Sequence, residues 1–253
     1  MIHKTFEVEG SPDIEVRIES GKVEVHRGDP GNVDVEVDTK SPDFIVEQRG
    51  NSVLVSSDKT TSWLSRGSAY IIIAAPEGSD LRVGVASAQI QADVPLGKVD
   101  VKTASGDIEI ESAETLVVKT ASGDTRVERI ERSLRFTSAS GDLFVEQAGS
   151  GSLVASTASG DIYIEHCDTS LDINTASGDT RVSRFTGRDA NFKSMSGTID
   201  LGIPRRTEVS LEARLLSGTL RLPDPEQIQE EPERRMSIRA KLVSGDLRIN
   251  RAD

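Results

Sequence analysis

The chain has 253 residues, with 42 acidic against 30 basic side chains, a formal net charge of −12 and a pI near 4.8. Such an acidic chain lacks the basic patch that nucleic acid or an anionic membrane surface requires, which excludes both as partners. The one cysteine, Cys167, cannot form an intramolecular disulfide and fits a reducing compartment.

No basic-then-apolar leader follows Met1, and the longest strongly apolar run, Tyr70 to Ala75, is far shorter than a bilayer span. These two features predict a cytoplasmic protein with no membrane span. Residues 1–25 hold a first repeat-like unit, in which Ile14, Val16 and Ile18 precede Ser20-Gly21, and Val23 and Val25 follow. From His26 to Asp80 strand-like runs appear at Val33 to Val37, Phe44 to Gln48, Val53 to Ser57 and Tyr70 to Ala74, with a hairpin expected at Gly50-Asn51. The polar stretch Asp58 to Gly67, which contains Trp63, reads as a mobile loop. Residues 1–80 are therefore expected to form an N-terminal β segment and cap, continuous with a repeat region over 81–253.

From residue 81 one phrase keeps returning. TASGD stands at Thr103 to Asp107, Thr120 to Asp124, Thr157 to Asp161 and Thr175 to Asp179; SASGD stands at Ser138 to Asp142, and looser copies begin at Ser194, Leu215 and Leu242. From Ser105 the steps between successive Ser residues are 17, 18, 19, 18, 19, 21 and 27. A unit of that length cannot bury an apolar face alone and has to stack on its neighbours.

Six and four residues before each Ser the columns read Leu116/Val118, Leu134/Phe136, Leu153/Ala155, Leu171/Ile173, Ala190/Phe192, Leu211/Ala213 and Ile238/Ala240. Three and five after it they read Ile108/Ile110, Thr125/Val127, Leu143/Val145, Ile162/Ile164, Thr180/Val182, Ile199/Leu201, Leu220/Leu222 and Leu247/Ile249. Alternation of this kind marks a strand with one buried face, and the change of parity across Ser-Gly demands a turn there. Gly permits a positive φ, and the next Asp accepts from nearby amides. A second corner is expected at variable polar sequence such as Glu111 to Thr115. The prediction is an all-β, single-domain β-helix (β-solenoid) of roughly 18-residue coils, with two main parallel sheets. Thr103, Thr120, Ser138, Thr157, Thr175 and Ser194, two before each Ser, are expected to form a hydroxyl ladder from rung to rung. Pro223 to Met236 reads as an acidic surface excursion, and Ser237 to Arg251 as the final coil.

An N-terminal β segment with a first S-G, a V-x-V-x-S-A-x-I unit at Val83 to Ile90, and serial T-A-S-G-D-[ILT]-x-[IV] coils resemble the bacterial "putative adhesin" β-strand-repeat family of unknown function. The resemblance covers almost the whole chain. It implies a β-helix and supplies no catalytic residues.

Three constellations could carry chemistry. The corners hold Ser105, Ser122, Ser140, Ser159 and Ser177, each followed two residues on by Asp107, Asp124, Asp142, Asp161 and Asp179. Carboxylates one rung apart repel by about 0.9 kcal/mol per pair even in water, so turn amides, or alternatively calcium, must offset them. The first of these makes the column a structural ladder with no cofactor. The second column faces out after the corner and includes Arg126, Phe144, Tyr163 and Arg181; Arg and aromatic side chains are favoured at protein contacts, so these four are the candidates for binding a protein partner or a second copy. His166-Cys167 suggests a nucleophile, but neighbouring residues cannot easily pair as thiolate and base. H-E-x-x-H, G-x-S-x-G, P-loop and C-x-x-C are all absent. The expected function is non-catalytic, structural and interactive. The alternative is a cation- or saccharide-binding module, with a polysaccharide-lyase-like enzyme as its catalytic extension.

Overall fold

The computed structural model describes residues 1–41, 44–57, 68–223 and 232–252. The expected loop at Asp58 to Gly67 and most of the acidic excursion lie outside the described residues. Within them, all regular elements are strands. Contacts divide the chain into two compact units, Met1–Arg126 and Val127–Asp253.

Unit 1 contains β1 (Ile2–Glu7), β2 (Asp13–Arg27), β3 (Asn32–Thr39), β4 (Phe44–Arg49), β5 (Ser52–Ser57), β6 (Ser68–Ala75), β7 (Asp80–Lys102), β8 (Ile108–Lys119) and the start of β9 (Thr125–Ser138). The first repeat-like unit is one bent strand, β2, whose Ile14, Val16, Val23 and Val25 are fully buried. One edge of β2 pairs in parallel with β7, from Asp13↔Asp80 to Val25↔Ala92. Its other edge pairs with β5 from Asp13↔Ser52 and with β6 from Ser20↔Ser68. The coil nearest the N-terminus is therefore second in its stack, and a later segment lies outside it. The outer segment is itself covered: β4 joins β5 through the hairpin at Gly50-Asn51, β3 runs antiparallel to β6, and β1 runs antiparallel to β3. An 18-residue step is set by Ser87 bridging Ser105 and by the parallel pairing of β7 with β8 from Ile90↔Ile108 to Ala92↔Ile110; a register shift between Ala92 and Pro95 shortens it to 17 from Pro95↔Ser112 to Lys102↔Lys119.

Unit 2 continues β9 and adds β10 (Leu143–Ala148), β11 (Ser152–Thr157), β12 (Ile162–Cys167), β13 (Ser170–Ser177), β14 (Thr180–Phe185), β15 (Asp189–Ser196), β16 (Ile199–Pro204), β17 (Thr207–Ser217), β18 (Leu220–Arg221), β19 (Arg234–Ser244) and β20 (Leu247–Ala252). Two parallel ladders result. One runs β9–β11–β13–β15, carrying Leu134, Leu153, Leu171 and Ala190 in register. The other runs β10–β12–β14–β16, carrying Val145, Ile164, Val182 and Leu201. All eight side chains are at most 3% exposed, so the aliphatic columns share a dry interior as the alternation requires.

Beyond β15 and β16 the rung order departs from chain order. β19 pairs with β15 on one edge and with β17 on the other, and β20 lies likewise between β16 and β18. Ser237 to Arg251 is not the last coil of the stack; it is the penultimate one, and the end rung is β17–β18. The coils therefore do not stack in chain order as far as Leu222. The excursion also ends earlier than expected, because Arg234 to Met236 already belong to β19.

The hydroxyl column is buried as expected but is bonded differently. Thr103 and Thr120 donate from Oγ1 to the carbonyls of Ser105 and Ser122, and Ser194 donates to Ser196. Ser138 and Thr157 instead accept from the amides of Gly141 and Gly160. These bonds stay within one corner, because the turn brings backbone groups two or three residues away closer than the next rung. The bond from Thr175 to Ser194, at 3.1 Å, joins two rungs in the expected way.

The second corner differs too. β8 passes through Glu111 to Thr115 without interruption and buries Ser112 and Ala113. A third inward column stands eight residues after each corner Ser: Ala113 in unit 1, then Ile130, Ala148, Cys167 and Phe185 in unit 2, all at most 2% exposed. In unit 2 it follows two consecutive outward residues, such as Glu128-Arg129 or Glu165-His166, where the parity changes again.

Candidate functional site

The corners set the outward geometry. At Gly245 φ is +135°, and a Cβ there would lie 1.9 Å from the carbonyl oxygen of Gly197 on the neighbouring rung. Ser-Gly is therefore needed both for the turn and for rung-to-rung approach. Amides of Ser105, Ser122, Ser159 and Ser177 donate to the carbonyls of Ala86, Ala104, Ala139 and Ala158 on the preceding rung, at 2.8–3.0 Å. Ser122, Ser140, Ser159 and Ser177 are exposed and Ser105 is half-buried.

The Asp side chains that follow form a bonded ladder. Oδ1 of Asp107 accepts from the amide of Asp124 (3.1 Å), Oδ1 of Asp142 from Asp161 (2.8 Å), Oδ1 of Asp161 from Asp179 (2.7 Å) and Oδ1 of Asp179 from Thr198 (2.7 Å). Each of these carboxylates thus bonds the turn amide one rung on, which offsets the repulsion along the column. Among the described residues no group of three or more His, Cys, Asp or Glu is placed to hold a metal ion.

On β10, β12 and β14, Phe144, Tyr163 and Arg181 lie directly in register on the outer face. Phe144 is half-buried and Tyr163 is 37% exposed. The negative charge of Asp161 is the main cause of a Tyr163 hydroxyl held above the usual phenol range, and a 3.5 Å bond from that hydroxyl to Asp161 Oδ2 adds to it. Arg181 reaches Asp200 at 3.5 Å, and Asp200 accepts from Asn250 at 2.6 Å. The column continues as Asp200, Arg248 and Arg221, in the order of the rungs. A shallow cleft of about 260 Å³ beside Arg181 is lined by Asp200, Gly202, Asn250 and Arg251. Arg126 belongs to unit 1 and is exposed on β9.

His166 and Cys167 end β12 on opposite faces. His166 is exposed, whereas Cys167 is fully buried between Ala148 and Phe185. Burial pushes the thiol up to about 11, and its sulfur lies 3.8 Å from the carbonyl of Thr169. The pair cannot act as thiolate and base.

Unit 1 carries a larger groove, of about 950 Å³, that the repeat phrase does not announce. Gly84 and Ala86 form its floor on β7, with Arg17, Ile45, Arg82 and Lys102 around it. The sequence signal was two small residues at outward positions flanking the buried Val85.

Stacked coils, Ser-Gly corners and outward columns define a β-solenoid. The chain belongs to the Toastrack DUF4097 family, which it matches over residues 12–253. It is also similar to a "putative adhesin" from Parabacteroides distasonis ATCC 8503 at 11% identity, covering 98% of this chain and 96% of that one, with a TM-score of 0.44. A "putative adhesin" from Bacteroides fragilis NCTC 9343 matches at 13% identity, 97% and 96% coverage, and a TM-score of 0.45. A "putative lipid binding protein" from Parabacteroides distasonis ATCC 8503 matches at 14% identity, 97% and 96% coverage, and a TM-score of 0.47. No curated protein matches.

Proposed function

We propose that the protein is a non-catalytic interaction module whose rigid outward columns bind a protein partner or a second copy. The observation that carries this reading is the register of Phe144, Tyr163 and Arg181 on three successive rungs. Parallel ladders hold the backbone of these residues about 4.8 Å apart, so the backbone that presents them is already ordered before a partner arrives. Aromatic and Arg side chains are the types that dominate binding energy when a partner desolvates them. The Asp ladder, whose oxygens bond turn amides, and the protonated buried thiol of Cys167 speak against the cation-binding and catalytic alternatives.

The test is a pull-down from native lysate with the wild type and with the Phe144→Ser, Tyr163→Ser variant, after circular dichroism shows equal folding. Loss of a specific captured protein, or of a self-complex in light scattering, is the expected result. Identical capture by both proteins would overturn the reading.

A further inference from the structure

The outermost coils of the two units are finished differently. In unit 1 the inward residues of the outermost coil, Val53, Val55, Ile71 and Ile73, are fully buried, because β4 and β3 continue the sheets beyond them. In unit 2 the outermost coil is β17–β18, and among the described residues no strand pairs with its outer edge. Its inward column is open: Leu211, Ala213 and Leu215 are half-buried, and Leu220 and Leu222 are 42% and 56% exposed. One rung inward, Ile238, Ala240, Leu242, Leu247 and Ile249 are at most 3% exposed. An eleven-residue edge strand over uncovered aliphatic side chains is a template for another strand.

We infer that this edge pairs with the same edge of a second copy, β17 against β17 in antiparallel register about a two-fold axis at Ala213. Charge selects this occupant and this register. Residues 205–222 carry four Arg (205, 206, 214, 221) and two Glu (208, 212), a balance of +2 in a chain of −12, so the edge strands themselves carry none of the chain's acidic excess into the contact. With Ala213 opposite Ala213, Leu211 faces Leu215 on the inner side, and Glu212 faces Arg214 twice on the outer side. In one chain Glu212 and Arg214 are both well exposed and lie 3.0 Å apart, free of any role in the interior. A register centred one residue earlier sets Glu212 against Glu212 and is disfavoured. An isologous contact of this kind closes on itself and gives a dimer rather than a fibre. The surface is separate from the Phe144–Tyr163 column.

Sedimentation velocity of the full chain over a concentration series tests the inference. The wild type should show a monomer–dimer equilibrium. Glu212→Arg and Arg214→Glu, each placing like charges opposite one another, should each weaken it about tenfold or more. An equal mixture of the two single variants should recover the dimer, because both cross-strand pairs in a mixed dimer then join one positive and one negative side chain. Both sites are exposed, so the circular dichroism spectrum should not change. Phe144→Ser, Tyr163→Ser should dimerise like the wild type, which separates failure of this inference from failure of the interaction column. A wild type that stays monomeric throughout the series, or a dimer indifferent to both charge reversals, would overturn it.

Discussion

The amide of Thr219 donates to Oδ1 of Asp246 at 3.0 Å, although Asp246 comes 27 residues later in the chain. In the ladder bonds of Asp107, Asp142, Asp161 and Asp179 the acceptor precedes the donor in sequence. The reversal arises because β19–β20 lies inside β17–β18. The coil that comes last in the chain is thereby hydrogen-bonded on both edges, as is β2 in unit 1, so neither of these two coils is left to fray although β17–β18 keeps one open edge.

This bond makes the end rung sensitive to acid. The Thr219 amide, and after it Arg248, hold the Asp246 carboxyl below its ordinary value. A carboxylate depressed in the folded state contributes stability above its unfolded value, near about 3.9, and loses it as pH falls through the lower folded value. The protection of the Thr219 amide, taken as its exchange rate relative to the intrinsic rate at each pH, should therefore fall in that acid window and stay constant around neutral pH. Asp246→Asn should abolish the pH dependence. Equal acid sensitivity in the variant would contradict this account.

Glycines at the corners should differ sharply from a glycine within a strand. Gly245→Ala puts a Cβ against the Gly197 carbonyl at a positive φ and should cost about 2–5 kcal/mol in urea unfolding. Gly84→Ala, with nothing within 4 Å and no positive φ, should stay within about 0.5 kcal/mol. Similar losses at both positions would show that the corners are not special.

Calcium should not matter to folding. Oδ1 of Asp107, Asp142, Asp161 and Asp179 is already bonded to a turn amide. Melting curves with EDTA and with added calcium should share one midpoint, and a midpoint raised by calcium would return the cation reading to the Asp column.

Much of the architecture was legible because period-two columns on either side of Ser-Gly fix which residues face inward, and register follows from parity. The order of rungs at the chain ends was not, because a 27-residue step from Ser217 to Ser244 states a length and not a side: the returning chain could stack outside β17 or inside it. The column of Ala113, Ile130, Ala148, Cys167 and Phe185 was present in the sequence as an apolar residue eight after each Ser, hidden by its second change of parity. It would have placed Cys167 in the core. The outward column was readable residue by residue, since Phe144, Tyr163 and Arg181 share one offset, but the succession Asp200, Arg248, Arg221 depends on the inverted end.

Rung order decides both that succession and which edge is open, and paired cysteines measure it most directly. Asn191 and Arg239 are in register, as are Arg239 and Glu212, which leaves Asn191 and Glu212 two rungs apart, about 9.6 Å. In dilute protein, Asn191→Cys with Arg239→Cys, and Glu212→Cys with Arg239→Cys, should each close an intramolecular disulfide on oxidation. Asn191→Cys with Glu212→Cys should not, being beyond disulfide reach. Closure of that third pair with failure of the first would put β17 beside β15 and contradict the account.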